Sequence, residues 1–183
     1  TERSQGMSFA GGALVFPGGA VDTADEELAH RIGASDDWED VAARIAAIRE
    51  TLEEAGLAVG FDQPCDAATT QQMRNALSAG ISFGAMLKEF GVALDLDQLS
   101  PFARWFPKHR LRRVFDTRFY VAKSHGESAH ISPDMNETRQ VFWMQASQVL
   151  TMADNGQAKI IFPTRRNLER IAQFANLAQA QAH

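Results

Sequence analysis

One segment, residues 38–55, most limits what this chain can fold into. Its apolar side chains recur at helical spacing, so one face can be buried in a core. These apolar positions are Val41, Ile45, Ile48 and Leu52. At about 100° per residue, Glu50, Glu53 and Glu54 fall within roughly 100° of arc on the opposite face. Gly56 follows, a residue that commonly ends helices. We therefore expect a helix from about Trp38 to Ala55 that presents clustered carboxylates on its exposed face.

The clustered carboxylates indicate a candidate metal site. Like charges at this spacing repel each other unless a cation lies among them, and hard divalent cations such as Mg²⁺ prefer oxygen ligands. Glu50, Glu53 and Glu54 are the candidate ligands. The alternative is a solvated helix face on which Arg49 and Glu53 form an ordinary i,i+4 ion pair. The turn at Phe16-Pro17-Gly18-Gly19 and the glycine after the helix favour the metal site.

Composition narrows the class of protein. The 183 residues, 45% of them apolar, fit a single domain over residues 1–183. The net charge of −5 argues against general nucleic-acid affinity, and no apolar run is long enough to span a membrane. The single cysteine, Cys65, suits a reducing compartment, so we expect a cytoplasmic protein. The start at Thr1 lacks an initiator methionine and any signal-peptide pattern, so N-terminal targeting stays open.

Hydrophobic periodicity predicts alternating strands and helices around this central helix. Residues 23–40 are acidic and are expected to be irregular, with Asp37 or Asp40 capping the helix that follows. The other expected helices cover residues 66–79, 82–90, 147–153 and 164–180, and the expected strands cover residues 13–16, 113–122 and 140–144. The two helices after the central one form a predicted helical insertion at about residues 64–92.

The glycine turn and the run from Arg49 to Leu57 together resemble the signature of the Nudix hydrolases. The resemblance implies a Nudix-type α/β/α sandwich with a mixed sheet, an α/β fold. It also implies cleavage of a nucleoside diphosphate derivative, with Mg²⁺ or Mn²⁺ held by Glu50, Glu53 and Glu54. Domains of this family normally begin with a strand ahead of the turn, so we expect that first strand to be missing from this chain.

The first half of the signature departs from the usual spacing. Counting from Gly19 leads to Asp25 where the pattern has a glutamate, and 23 residues instead of seven then separate Asp25 from Arg49. The motif therefore carries an insertion of about 16 residues. Its outlying acid is Asp25 or is supplied by Glu26, Glu39 or Asp40, four alternatives that the sequence leaves open.

Two further segments resemble the branch of the family that includes the mammalian peroxisomal coenzyme A diphosphatase. Residues 103–120 share its Trp, Pro and Phe-Asp-Thr pattern, and residues 1–19 share a motif in which Ser8 replaces an arginine. The branch implies coenzyme A or an acyl-CoA as substrate, with Arg3 as a binding residue. The alternatives are ADP-ribose, NADH or a dinucleoside polyphosphate as substrate, or a Nudix-like module that senses a nucleotide without cleaving it.

Six lysine and arginine residues between positions 104 and 118 form a candidate phosphate cradle on an otherwise acidic chain. They are Arg104, Lys108, Arg110, Arg112, Arg113 and Arg118. We assign Arg112 and Arg113 to substrate binding; the alternative is that these residues keep a sheet edge soluble.

The remaining residues receive roles from chemistry and from the resemblance together. Arg49 would orient a glutamate, and Gly18 and Gly19 would let the backbone approach the site without a Cβ atom. Glu137 is the candidate general base and Glu127 the second choice; the alternative for Glu137 is a solvated loop carboxylate. The expected partner is a small nucleotide, bound by a monomer or a homodimer.

Overall fold

The long helix predicted at residues 38–55 is the centre of the structure. The computed structural model describes residues 1–6, 10–33, 37–106, 115–124 and 131–183. The described helices are α1 (Thr23–Arg31), α2 (Trp38–Ala55), α3 (Ala67–Ser78), α4 (Phe83–Phe90), α5 (Ala146–Asp154), α6 (Phe162–Ile171) and α7 (Leu177–Ala182). The described strands are β1 (Glu2–Arg3), β2 (Ala13–Leu14), β3 (Ser100–Trp105), β4 (Thr117–Val121), β5 (Thr138–Gln140) and β6 (Lys159–Ile160).

Helix α2 begins and ends where the sequence predicts. The Asp37 carboxylate accepts a hydrogen bond from the Asp40 amide at the first turn, which satisfies a backbone donor that has no partner within the helix. Gly56 ends the helix at φ 65°, the left-handed conformation that glycine adopts without a steric penalty. Ile45, Ile48 and Leu52 are fully buried, so the apolar face lies in the core as predicted.

The main core forms between four helices. Helix α1 packs along α2. Helix α3 packs against α2, α4 packs against α1, and α3 and α4 also pack against each other. Both helices of the predicted insertion are thus present, and their buried side chains, with Phe61 and Leu99, join one apolar cluster. Gly60 permits this close packing: at φ 71°, a Cβ atom there would lie 2.5 Å from Ile48 Cδ1 and 2.8 Å from Leu99 Cδ1. Helices α3 and α4 therefore extend the core that holds α2.

The strands form two small sheets. In the four-stranded sheet, with order β5-β1-β2-β6, β1 runs antiparallel to both neighbours while β2 and β6 are parallel. A second apolar cluster joins Leu14 of this sheet to Val149 of α5 and Leu168 of α6. Strands β3 and β4 form a separate antiparallel pair, with Trp105 opposite Thr117. This mixed α/β arrangement confirms the predicted fold class.

Two predictions are wrong: the irregular structure expected for residues 23–40 and the single helix expected for residues 164–180. Residues 23–31 are helical instead of irregular, because Asp22 and Asp25 form a capping box that satisfies the first amides of α1. The single helix expected at residues 164–180 is divided into α6 and α7. The Asn176 side chain caps α7 by accepting a hydrogen bond from the Gln179 amide, so a new helix begins there.

The strand predictions also need correction. The strand expected at residues 140–144 is found at Thr138–Gln140, because its partner β1 offers only Glu2 and Arg3 for pairing. Strand β3 was not predicted; Pro101 within it is a residue that usually argues against a strand. Strands β2 and β4 lie inside their predicted ranges, though residues 113 and 114 fall outside the described residues.

Within the part of the chain that the structure describes, no helix has the length and apolar character needed to cross a membrane.

Candidate active site

Arg49 is the residue around which the site is built. Its guanidinium donates to both carboxylate oxygens of Asp25, from Nε at 3.0 Å and from Nη2 at 2.8 Å. Its third nitrogen, Nη1, donates to Glu50 at 2.9 Å and to Glu53 at 3.2 Å. Nη2 also donates to the backbone oxygen of Ala20, just after the glycine turn. One guanidinium therefore joins α1, α2 and the turn.

Of the four candidates for the outlying acid, the structure brings Asp25 to Arg49. Asp25 is fully buried in the first turn of α1, and a bidentate ion pair of this kind fixes the orientation of both partners. Glu39 and Asp40 lie instead on the first turn of α2, where they pair with Arg118. Burial would lower the pKa of Arg49, but its hydrogen bond to Asp25 and the surrounding carboxylate charges raise it, so the guanidinium stays charged.

The three glutamates of α2 differ in their surroundings. Arg49 donates hydrogen bonds to Glu50 and Glu53. Glu54 is only 4% exposed, and the one donor to it among the described residues is the Gly18 amide, at 3.3 Å. Burial, followed by the charge of Glu50, raises the pKa of Glu54 to about 7. Burial also raises the pKa values of Glu50 and Glu53, although Arg49 opposes the shift. Crowded, poorly solvated carboxylates of this kind gain stability when a cation binds.

The glycine turn lies directly against these carboxylates. A Cβ atom built on Gly19 would lie 2.1 Å from Glu50 Oε1 and 2.4 Å from its Cδ atom, so any larger residue would force the Glu50 carboxylate to move. Together with the Gly18 amide on Glu54, this contact places the turn over the carboxylate-bearing face of α2, which is largely covered instead of exposed, since Glu54 is only 4% exposed. Glycine at position 19 therefore lets the backbone approach Glu50 without displacing its carboxylate.

Glu137 reaches the same region from the turn that directly precedes β5. Its carboxylate is 56% exposed, lies 3.5 Å from Arg3 Nη2, and contributes to the raised pKa values of Glu50 and Glu54. Arg3 also faces Glu54 electrostatically, and its buried Nε has no acceptor among the described residues. The Arg3 guanidinium thus has a buried Nε donor without a partner among the described residues, close to the glutamates.

A tight turn fixes the position of Glu137. The Asp134 carboxylate accepts hydrogen bonds from the amides of Glu137 and Thr138, at 3.2 and 2.8 Å. Met135 adopts φ 66° in this turn, and the Ser4 amide donates to the Glu137 carbonyl. Sequence reasoning singled out Glu137 but missed the role of Asp134, which an Asp-x-x-Glu spacing before a strand could have indicated.

The basic segment is only partly described. Arg104 is paired with Asp116 at 2.5 and 2.8 Å, and Arg118 with Glu39 and Asp40 at 3.3 Å, so neither guanidinium is free for phosphate. The structure therefore does not support these two as members of a phosphate cradle. Lys108, Arg110, Arg112 and Arg113 lie outside the described residues, as do Ser8 and Glu127.

The donor set suits a hard divalent cation, although no ready-made cluster is formed. Among the described residues, no three or more Asp, Glu, His or Cys side chains are already arranged to hold a metal ion. Six carboxylates nevertheless surround the guanidinium groups of Arg49 and Arg3 in this part of the structure: Asp22, Asp25, Glu50, Glu53, Glu54 and Glu137. Oxygen ligands with this excess of negative charge are what Mg²⁺ and Mn²⁺ bind in proteins.

Comparison with known proteins agrees with this geometry. A family model described as the NUDT19 Nudix domain matches residues 29–171. The Caenorhabditis elegans protein "Putative nudix hydrolase 7" is 23% identical over 172 residues, which cover 94% of this chain. The chain spans about half the length of that relative, since the match covers 54% of it. The crystal structure of a NUDIX hydrolase from Alicyclobacillus acidocaldarius superimposes with a TM-score of 0.75 at 29% identity, covering 100% of this chain and 86% of that one.

Proposed function

Because this chain belongs to the Nudix hydrolases, we propose that it hydrolyses the diphosphate bond of a nucleoside diphosphate derivative. The observation that carries the proposal is the joint anchoring of Arg49 by Asp25, Glu50 and Glu53, next to the buried Glu54. This arrangement concentrates negative charge at the C-terminal end of α2. The Arg49 guanidinium bonds to Glu50 and Glu53, while Glu54 has only the Gly18 amide as a donor among the described residues. Such a site favours the binding of a divalent cation, and a bound cation attracts an anionic substrate.

Glu50, Glu53 and Glu54 would hold Mg²⁺ or Mn²⁺. When bound, a divalent cation offsets the charge of the diphosphate and lowers the pKa of a coordinated water. Arg49 keeps two of the glutamates oriented, in the way that residues behind metal ligands commonly do. The glycine turn holds the Glu54 carboxylate through the Gly18 amide.

Glu137 is proposed to accept the proton of the attacking water. Its carboxylate is exposed, as a group that exchanges protons with solvent needs to be, and the Asp134 turn keeps its backbone in place. Water then adds across the anhydride: its oxygen bonds to phosphorus, the bridging P–O bond breaks, and two phosphate esters leave. Arg3, whose guanidinium lies near Glu54 and Glu137, would bind a phosphate oxygen of the substrate.

Coenzyme A or an acyl-CoA is the proposed substrate, with ADP-ribose, NADH and dinucleoside polyphosphates as the alternatives. The match to the NUDT19 Nudix domain supports this choice, as do the sequence resemblances at residues 1–19 and 103–120. Arg112 and Arg113 remain the proposed contacts for the 3′-phosphate that distinguishes coenzyme A from its dephospho form.

The test is hydrolysis of a panel with Mg²⁺, with Mn²⁺ and with chelator. The panel contains coenzyme A, dephospho-CoA, acetyl-CoA, ADP-ribose, NADH and diadenosine polyphosphates. Metal-dependent release of adenosine 3′,5′-bisphosphate from coenzyme A is expected. Preference for another compound would keep the chemistry and replace the substrate, whereas binding without turnover on any of them would identify a sensing module.

A further inference from the structure

A second cavity lies beside the carboxylates and has no part in the chemistry proposed above. It measures about 310 Å³ and lies between helix α3 and the segment at residues 133–136. We call it the amide pocket; its lining residues are Glu53 of α2, then Gln71, Arg74, Asn75, Leu77 and Ser78 of α3, and Pro133, Asp134 and Asn136. Because Glu53 also belongs to the carboxylate cluster, and Asn136 precedes Glu137, the pocket adjoins the active site.

The lining of this pocket favours an uncharged polar group. Three of its members carry amides and one a hydroxyl, groups that both donate and accept hydrogen bonds. Gln71 donates to the Asn75 side chain at 2.9 Å, which holds the two amides side by side on the exposed face of α3. The charged members of the lining are two carboxylates, Glu53 and Asp134, and one guanidinium, Arg74, so the net charge is negative and disfavours a phosphate. The Asp134 carboxylate is already engaged by the turn that holds Glu137.

Arg74, a buried member of the lining, connects the walls of the pocket. It is only 6% exposed; its Nε donates to the Glu53 carbonyl at 2.7 Å and its Nη1 to Ser132 Oγ at 2.7 Å. Helix α3 is thereby fixed both to α2 and to the segment that leads to Glu137. The remaining nitrogen, Nη2, is buried and has no acceptor within the described residues. A buried donor without a partner is uncommon in folded proteins and often marks a place where a ligand or water completes the bonding.

From these contacts we propose that the amide pocket binds a hydroxyl- or amide-bearing, uncharged group attached to the substrate's diphosphate. The ribose of a nucleoside and the amide chain of pantetheine share this chemistry. The inference rests on the proposed function, since it assigns the specificity of that same site to α3. Gln71 and Asn75 are then specificity residues, and Arg74 holds the pocket in position relative to Glu53.

The test compares Gln71→Ala and Asn75→Ala with Gln72→Ala, an exposed neighbour on α3 that does not line the pocket. All three positions are exposed and helical, and alanine favours a helix, so the variants should fold. Values of kcat and KM are measured with ADP-ribose and with dephospho-CoA, which share an adenosine diphosphate half. We expect KM to rise about three- to tenfold for the two pocket variants, as for the loss of one or two hydrogen bonds, with kcat within about twofold.

The two substrates identify the group that is bound. An equal rise in KM on both assigns the shared adenosine half to the pocket, and a rise on one alone assigns the group in which that substrate differs. The proposal is overturned if neither pocket variant changes KM more than Gln72→Ala on any substrate that the parent hydrolyses.

The same variants separate this proposal from the proposed function. If the parent hydrolyses nothing in the panel, the proposed function fails, and calorimetric binding of AMP and of 4′-phosphopantetheine then tests the pocket alone. Weaker binding by Asn75→Ala than by the parent would support the pocket, and equal or absent binding would overturn it.

Discussion

At the scale of single residues, Glu54 combines deep burial with one backbone hydrogen bond and two acidic neighbours, Glu50 and Glu137. Burial raises the pKa of Glu54 to about 7 although the charge of Arg3 opposes the shift, so ionisation of Glu54 destabilises the fold unless a further cation binds. Removal of this charge should therefore lower activity without lowering stability.

Replacement of Glu54 by glutamine should separate these two properties. The amide keeps the shape and can still accept from Gly18, but it loses the charge that would bind a divalent cation. We expect turnover with Mg²⁺ to fall by about two orders of magnitude or more, while urea unfolding in chelator shows stability equal to or above that of the parent at pH 8. Near-normal turnover would remove Glu54 from the metal site.

Gly19→Ala is expected to impair activity without unfolding the protein. The new methyl group would displace the Glu50 carboxylate, the flexible end of a side chain that is 16% exposed and lies outside the apolar core, so the core is not disturbed. A shift of about 1 Å at a reacting centre can reduce turnover by about 100-fold. The matched control is Gly6→Ala, where a Cβ atom meets nothing within 4 Å. If the activities of the two variants are equal, the contact between turn and Glu50 is unimportant.

At the scale of elements, the Asp25–Arg49 pair is what joins helix α1 to helix α2 at the site. The pair is buried, so removal of one partner leaves a charge without full compensation. We expect Asp25→Asn to lower the free energy of unfolding by about 2–4 kcal/mol and to reduce activity, because Arg49 would no longer be held toward Glu50 and Glu53.

The control for this prediction is Asp22→Asn. Asp22 is half exposed and lies 3.7 Å from the same guanidinium, and asparagine can still cap α1. A stability loss of less than about 1 kcal/mol is expected for it. Chemical denaturation of both variants distinguishes the buried pair from the exposed one, and equal losses would contradict the proposed importance of Asp25.

Asp40 links the start of α2 to strand β4 and should make the fold sensitive to acid. Burial alone would raise the pKa of Asp40. Hydrogen bonds from Arg44 and Tyr120, with the charges of Arg44 and Arg118, outweigh burial and bring the pKa below its ordinary value of 3.8. A carboxylate whose pKa is lowered by folding stabilises the folded state above the unfolded value and loses that contribution as the pH falls through the folded value.

We therefore expect Asp40→Asn to be less stable than the parent by about 1–2 kcal/mol at pH 7, with the difference shrinking below about pH 4. Unfolding in urea at several pH values measures this. Asp97→Asn, at an exposed site, is the control and should follow the parent throughout. A difference that stays constant from pH 7 to pH 2 would mean that the ionised carboxylate is not what stabilises this junction.

At the scale of the whole molecule, binding of a divalent cation should raise the melting temperature. A ligand at about one hundred times its Kd adds about 2.7 kcal/mol of stability, which is about 5–10 °C for a domain of this size. We expect this increase with MgCl₂ or MnCl₂, and a much smaller one in Glu54→Gln. Sodium chloride at equal ionic strength controls for screening. Equal shifts in both proteins would place the bound cation elsewhere.

The sequence predicts most of this molecule where local signals are strong. Helix α2 is predicted to the residue because amphipathic spacing, the Asp37 cap and Gly56 agree. Helix α1 is missed because its acidic surface hides a capping box, although Leu28 and Ala29 are buried. The shift of β5 could not be predicted, since it depends on the two residues that β1 offers.

For the site, too, neighbouring residues can be singled out from the sequence, whereas contacts between distant segments cannot. The glutamates of α2 are singled out by a contiguous motif, whereas the contact of Asp25 with Arg49 depends on how α1 packs against α2. Arg74 could not be assigned from sequence at all, because its contacts with Glu53 and Ser132 join segments that are 21 and 58 positions away.

The pairing of Asp25 with Arg49 also bears on how such chains are detected. The contact depends on two helices lying side by side, and lengthening the connection between them costs little free energy, since loop entropy grows only logarithmically with length. A pattern search that demands a fixed gap between acid and arginine would therefore pass over this chain. A search that lets the gap vary, and asks instead for an acidic helix start that can reach the arginine, would retain it.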